Sequence, residues 1–302
     1  MTINEYLKSC GVDERGLAVA DSLVVAVKRI SHVIKTSSTG KAGTYNIYGE
    51  EQLALDLIAD KIVQEECRRN EYIGLIASEE LPDEMKLSSG EHADYAICYD
   101  PLDGSSLVDV NLAVGTIFGV YEAKTFVGIK GSQQTGAMIA VYGPRTTIVL
   151  TVKQGVREFV MDADGEFEMS SNDDIKISEG KMFAPGNLRA TSERNDYLEL
   201  VNYWCKEQYT LRYSGGMVPD VNQILLKGKG IFSYPGYSES PNGKLRLLFE
   251  CAPMALLVTQ AGGAASDGKI DILEKVVEKL DQRTPIYIGS KGEVDRCCTS
   301  LQ

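Results

Sequence analysis

Apolar residues recur at spacings of three and four from residue 16 to about residue 35, where Leu17, Leu23, Val24, Val27, Ile30 and Ile34 mark one face. That period predicts an amphipathic helix. A second helix is predicted from about Glu50 to Arg69: Leu53, Leu57, Ile58 and Val63 alternate with Asp56 and Asp60, which stand four apart and share a face. Glu50 and Glu51 at its start suit the positive end of the helix dipole. The pattern then shifts to strand-like runs at 72–77, 94–99, 114–122, 125–129, 137–142 and 146–152, and REFVMDADGEFEMS carries a hairpin signature at Asp164-Gly165. Beyond residue 178 helices alternate with strands: a helix near 193–207, a strand at TLRY, a helix at 217–227, a strand at GIFSYP, a long apolar helix from Leu245 to Gln260, a strand at 285–289 and a short closing helix. The first half therefore reads as α+β with a large, mostly antiparallel sheet, and the second as α/β. The polar run SSNDDIKISEG puts the boundary near 178, giving an N-terminal domain over 1–178 and a C-terminal domain over 179–302.

Composition narrows the function classes. A chain of 302 residues with 43% hydrophobic content fills a substantial core, and no apolar segment approaches the length of a membrane span. Met1 to Cys10 has no apolar core and contains Glu5, unlike a signal or transit peptide, so the cytoplasm is the expected compartment, or an organelle if a leader has been removed. The formal net charge of −12 argues against nucleic acid and anionic membranes as partners. Seven cysteines without a CxxC pair, in apolar company such as that of Cys98 and Cys251, read as reduced, buried thiols, and the adjacent Cys297 and Cys298 are not expected to bridge. His32 and His92, the only histidines, are expected at the surface and away from any nucleophile, which argues against Ser-His-Asp or Cys-His chemistry. Neither GKGIFS at 228–233 nor GKAGT at 40–44 has the glycine spacing of a nucleotide-binding loop.

The chemistry concentrates at two strand ends. ICYDPLDGSS, residues 97–106, puts Asp100 and Asp103 at the exit of an apolar run, and GLIASEE, residues 74–80, ends likewise on Glu79 and Glu80. Carboxylates gathered this way repel one another unless a cation lies between them. Hard oxygen ligands without nearby His or Cys point to Mg²⁺, with Mn²⁺ as the alternative. Gly104, Ser105 and Ser106 add backbone N–H groups and hydroxyls suited to phosphate oxygens. Glu250 lies on a mostly apolar helical stretch, where an uncompensated charge is costly to bury, and is expected to reach the same cluster. Arg212, Lys244 and Arg246 supply cations for a second phosphate, and Asn187, Arg189, Tyr213 and Tyr234 further polar contacts to a sugar phosphate, although either tyrosine could equally serve the core.

YGEEQLALD, SEE, DPLDGSS, RYSGGMVPDV and SPNGKLRLLFE, in this order, resemble the sugar-bisphosphatase family, which includes fructose-1,6-bisphosphatase class 1 and sedoheptulose-1,7-bisphosphatase; the resemblance spans about residues 16 to 291. KMFAPGNLRAT, YGPRTT and YTLRYSGGMVPDVNQI look like the sedoheptulose branch, whereas SPNGKLRLLFE keeps the fructose-type spelling. The resemblance implies a two-domain, layered α/β/α/β/α sugar-phosphatase fold. It also implies Mg²⁺-dependent hydrolysis of the 1-phosphate of sedoheptulose-1,7-bisphosphate, with fructose-1,6-bisphosphate or dual specificity as the alternative; a non-catalytic sugar-phosphate sensor is the minor one.

By the same resemblance two to three metal ions are held by Glu79, Asp100, Asp103, Glu250 and the carbonyl of Leu102, with Glu50 assisting, and Asp56 and Glu80 orient and deprotonate the attacking water. Gly104, Ser105 and Ser106 then cradle the reacting phosphate, and Arg212, Tyr213, Tyr234, Lys244 and Arg189 the distant one. Because the family's arginine at the Arg212 position reaches across a subunit interface, a homodimer or homotetramer is implied. Two departures bear on regulation. Thr39 and Thr44 stand where plant sedoheptulose enzymes carry a redox cysteine pair, and DERGL with Asp94 stands where animal fructose enzymes bind AMP, so neither control is expected.

Overall fold

The strand-like runs of the first half assemble into a sheet covered on both faces, and the reason is visible in β-strand alternation. In the computed structural model, which describes residues 1–36, 41–45, 51–87 and 92–301, the N-terminal helices are α1 (Ile3–Ser9), α2 (Glu14–Thr36) and α3 (Ala54–Arg69), with a short antiparallel pair, β1 (Lys41–Tyr45) and β2 (Glu51–Leu53), before α3. Then follow β3 (Ile73–Ser78), β4 (Met85–Lys86), β5 (Tyr95–Asp103), β6 (Val114–Glu122), β7 (Gly136–Tyr142), β8 (Thr146–Thr151), β9 (Arg157–Met161) and β10 (Phe167–Met169). They form one eight-stranded sheet in the order β10-β9-β8-β7-β6-β5-β3-β4, antiparallel throughout except for the β3–β5 pair. The second half contributes β11 (Met182–Pro185), α4 (Asn195–Lys206), β12 (Thr210–Leu211), α5 (Met217–Lys227), β13 (Ile231–Tyr234), α6 (Ala252–Gln260), β14 (Ala264–Ser266), β15 (Ile286–Gly289) and α7 (Lys291–Ser300). Its five strands pair as β12-β11-β13-β15-β14, parallel across β12-β11-β13 and antiparallel beyond.

Alternate residues of the large sheet enter different cores. Ile97, Tyr99 and Phe118 pack under α1, α2 and α3, whereas Ala96, Cys98 and Ile117 face α5, α6 and the inner face of the second sheet. The outer face of the second sheet, with Phe183 and Tyr287, is closed by α4 and α7 around Trp204. Five layers result, α/β/α/β/α. The middle helix, α6, lies between two sheets and has Ala252 to Val258 all buried, which explains why its sequence is apolar on every side.

The differences from the predicted elements have local causes. Residues 125–129 are a turn, not a strand: Phe126 plugs the core against Tyr121, Gly128 takes φ +93°, and the Thr125 hydroxyl and Phe126 N–H donate to the Glu84 carboxylate instead of a neighbouring strand. The helix expected from Glu50 begins at Ala54, and that expected from Leu245 begins as a π turn over Leu247–Cys251. TLRY is a strand only at Thr210–Leu211, and α1, β11 and β14 were not anticipated. Thr39 and Glu50 lie outside the described residues.

A candidate phosphoryl-transfer site at two strand ends

Asp100 and Asp103 are three apart, and in a regular strand an odd separation sends side chains to opposite faces. Here the β5–β6 register slips: Asp100 pairs with Ile117 and Asp103 with Gly115, so three steps on β5 match two on β6. This bulge, at Pro101 and Leu102, brings both carboxylates to one cavity. Proline suits it, having no N–H to offer a ladder, and its carbonyl is taken by the Thr116 hydroxyl at 2.8 Å. Gly104, at φ +75°, turns the chain into a 3-10 helix over Ser105–Val110, leaving Ser105 and Ser106 at the cavity wall.

The other acids arrive from three elements. Glu79 and Glu80 follow the end of β3, with the Glu79 N–H on the Tyr99 carbonyl at 3.1 Å and the Glu80 N–H on the Ser78 hydroxyl at 3.2 Å. Asp56 comes from the first turn of α3 and Glu250 from the π turn before α6, a distortion often found at functional sites. Carboxylate oxygens of Glu79, Asp100 and Glu250 lie within 4.8 Å of one another. Asp103 reaches instead to the start of α5, where the Val218 N–H donates to it at 2.6 Å, a favourable placement at a helix N-terminus.

The cavity is about 450 Å³ and is lined by Asp56, Glu79, Glu80, Asp100, Leu102, Asp103, Gly104, Ser105, Ser106, Tyr213, Tyr234, Lys244, Arg246 and Glu250, together with residues not anticipated from sequence, among them Gly215, Gly216, Met217 and Phe232. Arg246 is 2% exposed and its guanidinium pairs with Glu79, while its backbone N–H donates to Glu250 at 2.5 Å. Burial first, then the Asp103 and Glu250 charges, push Asp100 well above the usual carboxylate range. Burial raises Asp103 to about 6 against the pull of the Val218 and Met217 N–H groups, and burial with the Asp103 charge raises Glu250 to about 7. An all-oxygen, mutually repelling and buried donor set fits a hard divalent cation.

Three predicted contacts stay outside this cavity wall. Asn187, at φ 51°, spends its side-chain N–H on the Pro235 carbonyl at 2.9 Å. Burial raises the Tyr213 phenol above its usual range, and Arg189 lies close enough to offset part of that rise; Arg189 also lies beside Tyr237. Arg212 is exposed next to edge strand β12, donating to the Leu211 carbonyl at 3.1 Å. Tyr213 is 45% exposed, so it is not a core residue. Glu50 cannot be assigned a position because it lies outside the described residues. The wall residues Gly215, Gly216 and Met217 carried a usable signal, since they sit in RYSGGMVPDV; Phe232 carried none.

Comparison with known proteins decides the family. Residues 5–172 match the fructose-1,6-bisphosphatase N-terminal domain model and residues 177–302 the C-terminal domain model. The chain belongs to the fructose-1,6-bisphosphatase family. It is 43% identical over 297 residues to the chloroplastic sedoheptulose-1,7-bisphosphatase of Triticum aestivum, covering 98% of this chain and 75% of that protein. To the fructose-1,6-bisphosphatase class 1 of Pelobacter propionicus it is 44% identical over 300 residues, covering 99% and 92%. The crystal structure of Leishmania major fructose-1,6-bisphosphatase in holo form superposes with a TM-score of 0.93 at 32% identity, covering 99% and 98%. The chain is thus a sugar-bisphosphate phosphatase of a metal-dependent family, and the acidic cavity is the candidate site for its metal.

Proposed function

We propose that this phosphatase hydrolyses the 1-phosphate of sedoheptulose-1,7-bisphosphate to sedoheptulose-7-phosphate in the presence of Mg²⁺, with Mn²⁺ as the alternative. Glu79, Asp100, Asp103, Glu250 and the Leu102 carbonyl, with Glu50, hold two to three ions. Bound there, divalent cations would neutralise charge on the transferring phosphoryl group and make water a better nucleophile. Asp56 and Glu80 orient the attacking water and take its proton. Gly104, Ser105 and Ser106 present N–H groups and hydroxyls to the 1-phosphate oxygens, and Tyr213, Tyr234 and Lys244 bind the distant phosphate. On this reading residues 1–178 supply most of the metal ligands and residues 179–302 most contacts to the sugar's far end.

The observation that carries the sedoheptulose reading is the loop at Asn187–Arg189. Asn187 fastens it to the Pro235 carbonyl beside Tyr234, which supports Arg189 as a cation near Tyr213, at the end where a longer sugar would extend. A second reading, fructose-1,6-bisphosphate or both sugars, is favoured by SPNGKLRLLFE and by relatives named fructose-1,6-bisphosphatase class 1. Phosphate release from the two substrates, measured side by side with Asp103→Ala as blank, decides between them: preference for the seven-carbon sugar supports the first reading, and equal or fructose-favoured turnover removes it.

We also infer a homodimer or homotetramer, because Leu211 is exposed on edge strand β12, Arg212 is exposed immediately after it, and Arg212 lies apart from its own chain's cavity. A monomer by light scattering at working concentration would remove that inference. Among the described residues no helix is long and apolar enough to cross a membrane. The bacterial fructose-1,6-bisphosphatase class 1 relatives support the cytoplasm as the proposed compartment, or an organelle if a leader has been removed.

A further inference from the structure

Glu250 reaches the carboxylate cluster from a helix that is one residue too wide at its start. Residues 247–260 run on as one helix, but the Cys251 N–H donates to the Arg246 carbonyl at 3.0 Å and the Ala252 N–H to the Leu247 carbonyl, each five residues back instead of four. The sequence supplies the cause. Pro253 has no N–H for the Phe249 carbonyl, and in a regular α-helix its ring would press on that carbonyl. Widening the turn relieves the clash but leaves a second carbonyl in need. With the Ala252 N–H given to Leu247 and no N–H on residue 253, Leu248 has neither its α-helical nor its π-helical donor. The Cys98 thiol on β5 fills that place, with its sulfur 3.3 Å from the Leu248 oxygen. Its other acceptor, the Gly119 carbonyl, is farther away at 3.6 Å and belongs to a residue paired with strands on both sides. Cys98 and Leu248 are both fully buried, where an unfilled carbonyl is costly.

The parts fit closely. A Cβ on Gly119 would stand 2.7 Å from the Cys98 sulfur, 2.9 Å from Oε1 of Gln134 and 3.1 Å from the Pro253 ring, so these three side chains meet over the space the glycine leaves. Gln134, also buried, donates to the Ala252 carbonyl at 3.0 Å and to the Gly131 carbonyl at 2.8 Å, which ties the start of α6 to the segment before β7. We propose that Pro253 and Cys98 are positioning residues for Glu250: the proline opens the turn, the thiol satisfies the carbonyl that opening leaves, and together they keep Glu250 beside Glu79 and Asp100. The proposal rests on Glu250 being a metal ligand. A π turn carries one residue more than an α-helical turn, so closing it would rotate the chain ahead of α6 by up to about 100° and carry Glu250 away from the cluster.

The test is Mn²⁺ binding to the substrate-free enzyme, followed by electron paramagnetic resonance, beside steady-state phosphate release over a range of Mg²⁺ concentrations. Pro253→Ala restores an N–H and removes the ring. It should bind Mn²⁺ roughly 10- to 100-fold more weakly, the usual cost of losing the support behind a ligand. Its turnover should recover at high Mg²⁺, with KM for the sugar bisphosphate within about two-fold of the parent. Cys98→Ala should weaken Mn²⁺ binding by roughly three- to ten-fold, what one hydrogen bond is worth, whereas Cys98→Ser keeps a donor and should stay within about two-fold. Parental Mn²⁺ binding in Pro253→Ala, equal weakening in the two Cys98 variants, or a rise in KM that Mg²⁺ does not reverse would overturn the proposal. If Pro253→Ala does not fold, the two Cys98 variants decide. Glu250→Gln separates the levels: parental Mn²⁺ binding there removes Glu250 as a metal ligand, whereas weak binding there beside parental Pro253→Ala and Cys98→Ala removes only the role of the turn.

Discussion

Two cavities of nearly equal size lie on the large sheet, and they differ in what their walls can do. One, about 450 Å³, opens at the ends of β3 and β5 and gathers Asp56, Glu79, Glu80, Asp100, Asp103 and Glu250. The other, about 460 Å³, lies between α1, α2 and the sheet, and its wall is mainly apolar, with Leu7, Val19, Leu23 and Met138 among its residues and Asp13 and Glu122 as its acids. Volume does not separate them. The first puts buried carboxylates in conflict, which bound protons or a cation relieve; the second leaves little but packing at stake.

The largest contrast should come from cutting each wall. Asp100→Ala should lower kcat/KM on the order of 10³-fold or more by removing charge stabilisation at the reacting phosphate, read as phosphate release. Leu23→Ala in the apolar wall should leave turnover unchanged while destabilising the fold by about 2–5 kcal/mol in denaturant titration. Similar kinetic losses for both would erase the distinction between the cavities.

Protonation sharpens it next. Asp100, Asp103 and Glu250 hold protons more tightly folded than unfolded, Asp103 to about 6 and Glu250 to about 7. Their contribution to metal-free stability is therefore full below the ordinary carboxylate pKa of about 4 and is lost as pH rises through about 6 to 7. Melting in a chelator should show a falling temperature across that window, and Mg²⁺ should remove the fall by binding the ionised cluster. A flat profile in chelator would count against the charge conflict.

A smaller effect is expected at the rim. Arg189→Ala should weaken sedoheptulose-1,7-bisphosphate turnover more than fructose-1,6-bisphosphate turnover, by roughly ten-fold if one charge-assisted contact is lost; equal losses would show that Arg189 does not read sugar length. The smallest effect is a null one. The apolar cavity includes Asp13 and Gly16 of the DERGL segment, with Glu122 opposite, and Asp94 nearby is held by Lys124 at 2.8 Å. Acids of this kind repel a phosphate, so AMP should leave turnover unchanged, and inhibition by AMP would reverse that reading.

Much of this was legible because periodicity reports burial. β5 alternates between two covered faces, α6 is apolar all round because sheets lie on both sides, and paired acids at the ends of apolar runs announce an unresolved charge. The bulge at Pro101 and Leu102 was not legible, although it alone lets Asp100 and Asp103 share a cavity; register belongs to the pairing with β6. Residues 125–129 misled because Phe126 is as apolar as any strand residue while its N–H is committed to Glu84. The quoted motifs pointed to Asn187, Arg189 and Arg212, but which of them reaches the cavity depends on loops between the sheets, and local sequence says little about that.

The middle layer of helices also limits how the molecule can come apart. α5 and α6 bury apolar surface against both sheets at once, with Val218 close over Gly115 of β6 and Met254 to Val258 within the shared core. Neither half can keep its inner sheet face dry without the other. Unfolding is therefore expected as a single cooperative transition, and a chain cut near residue 178 would expose a broad greasy face and aggregate before it could bind a sugar phosphate.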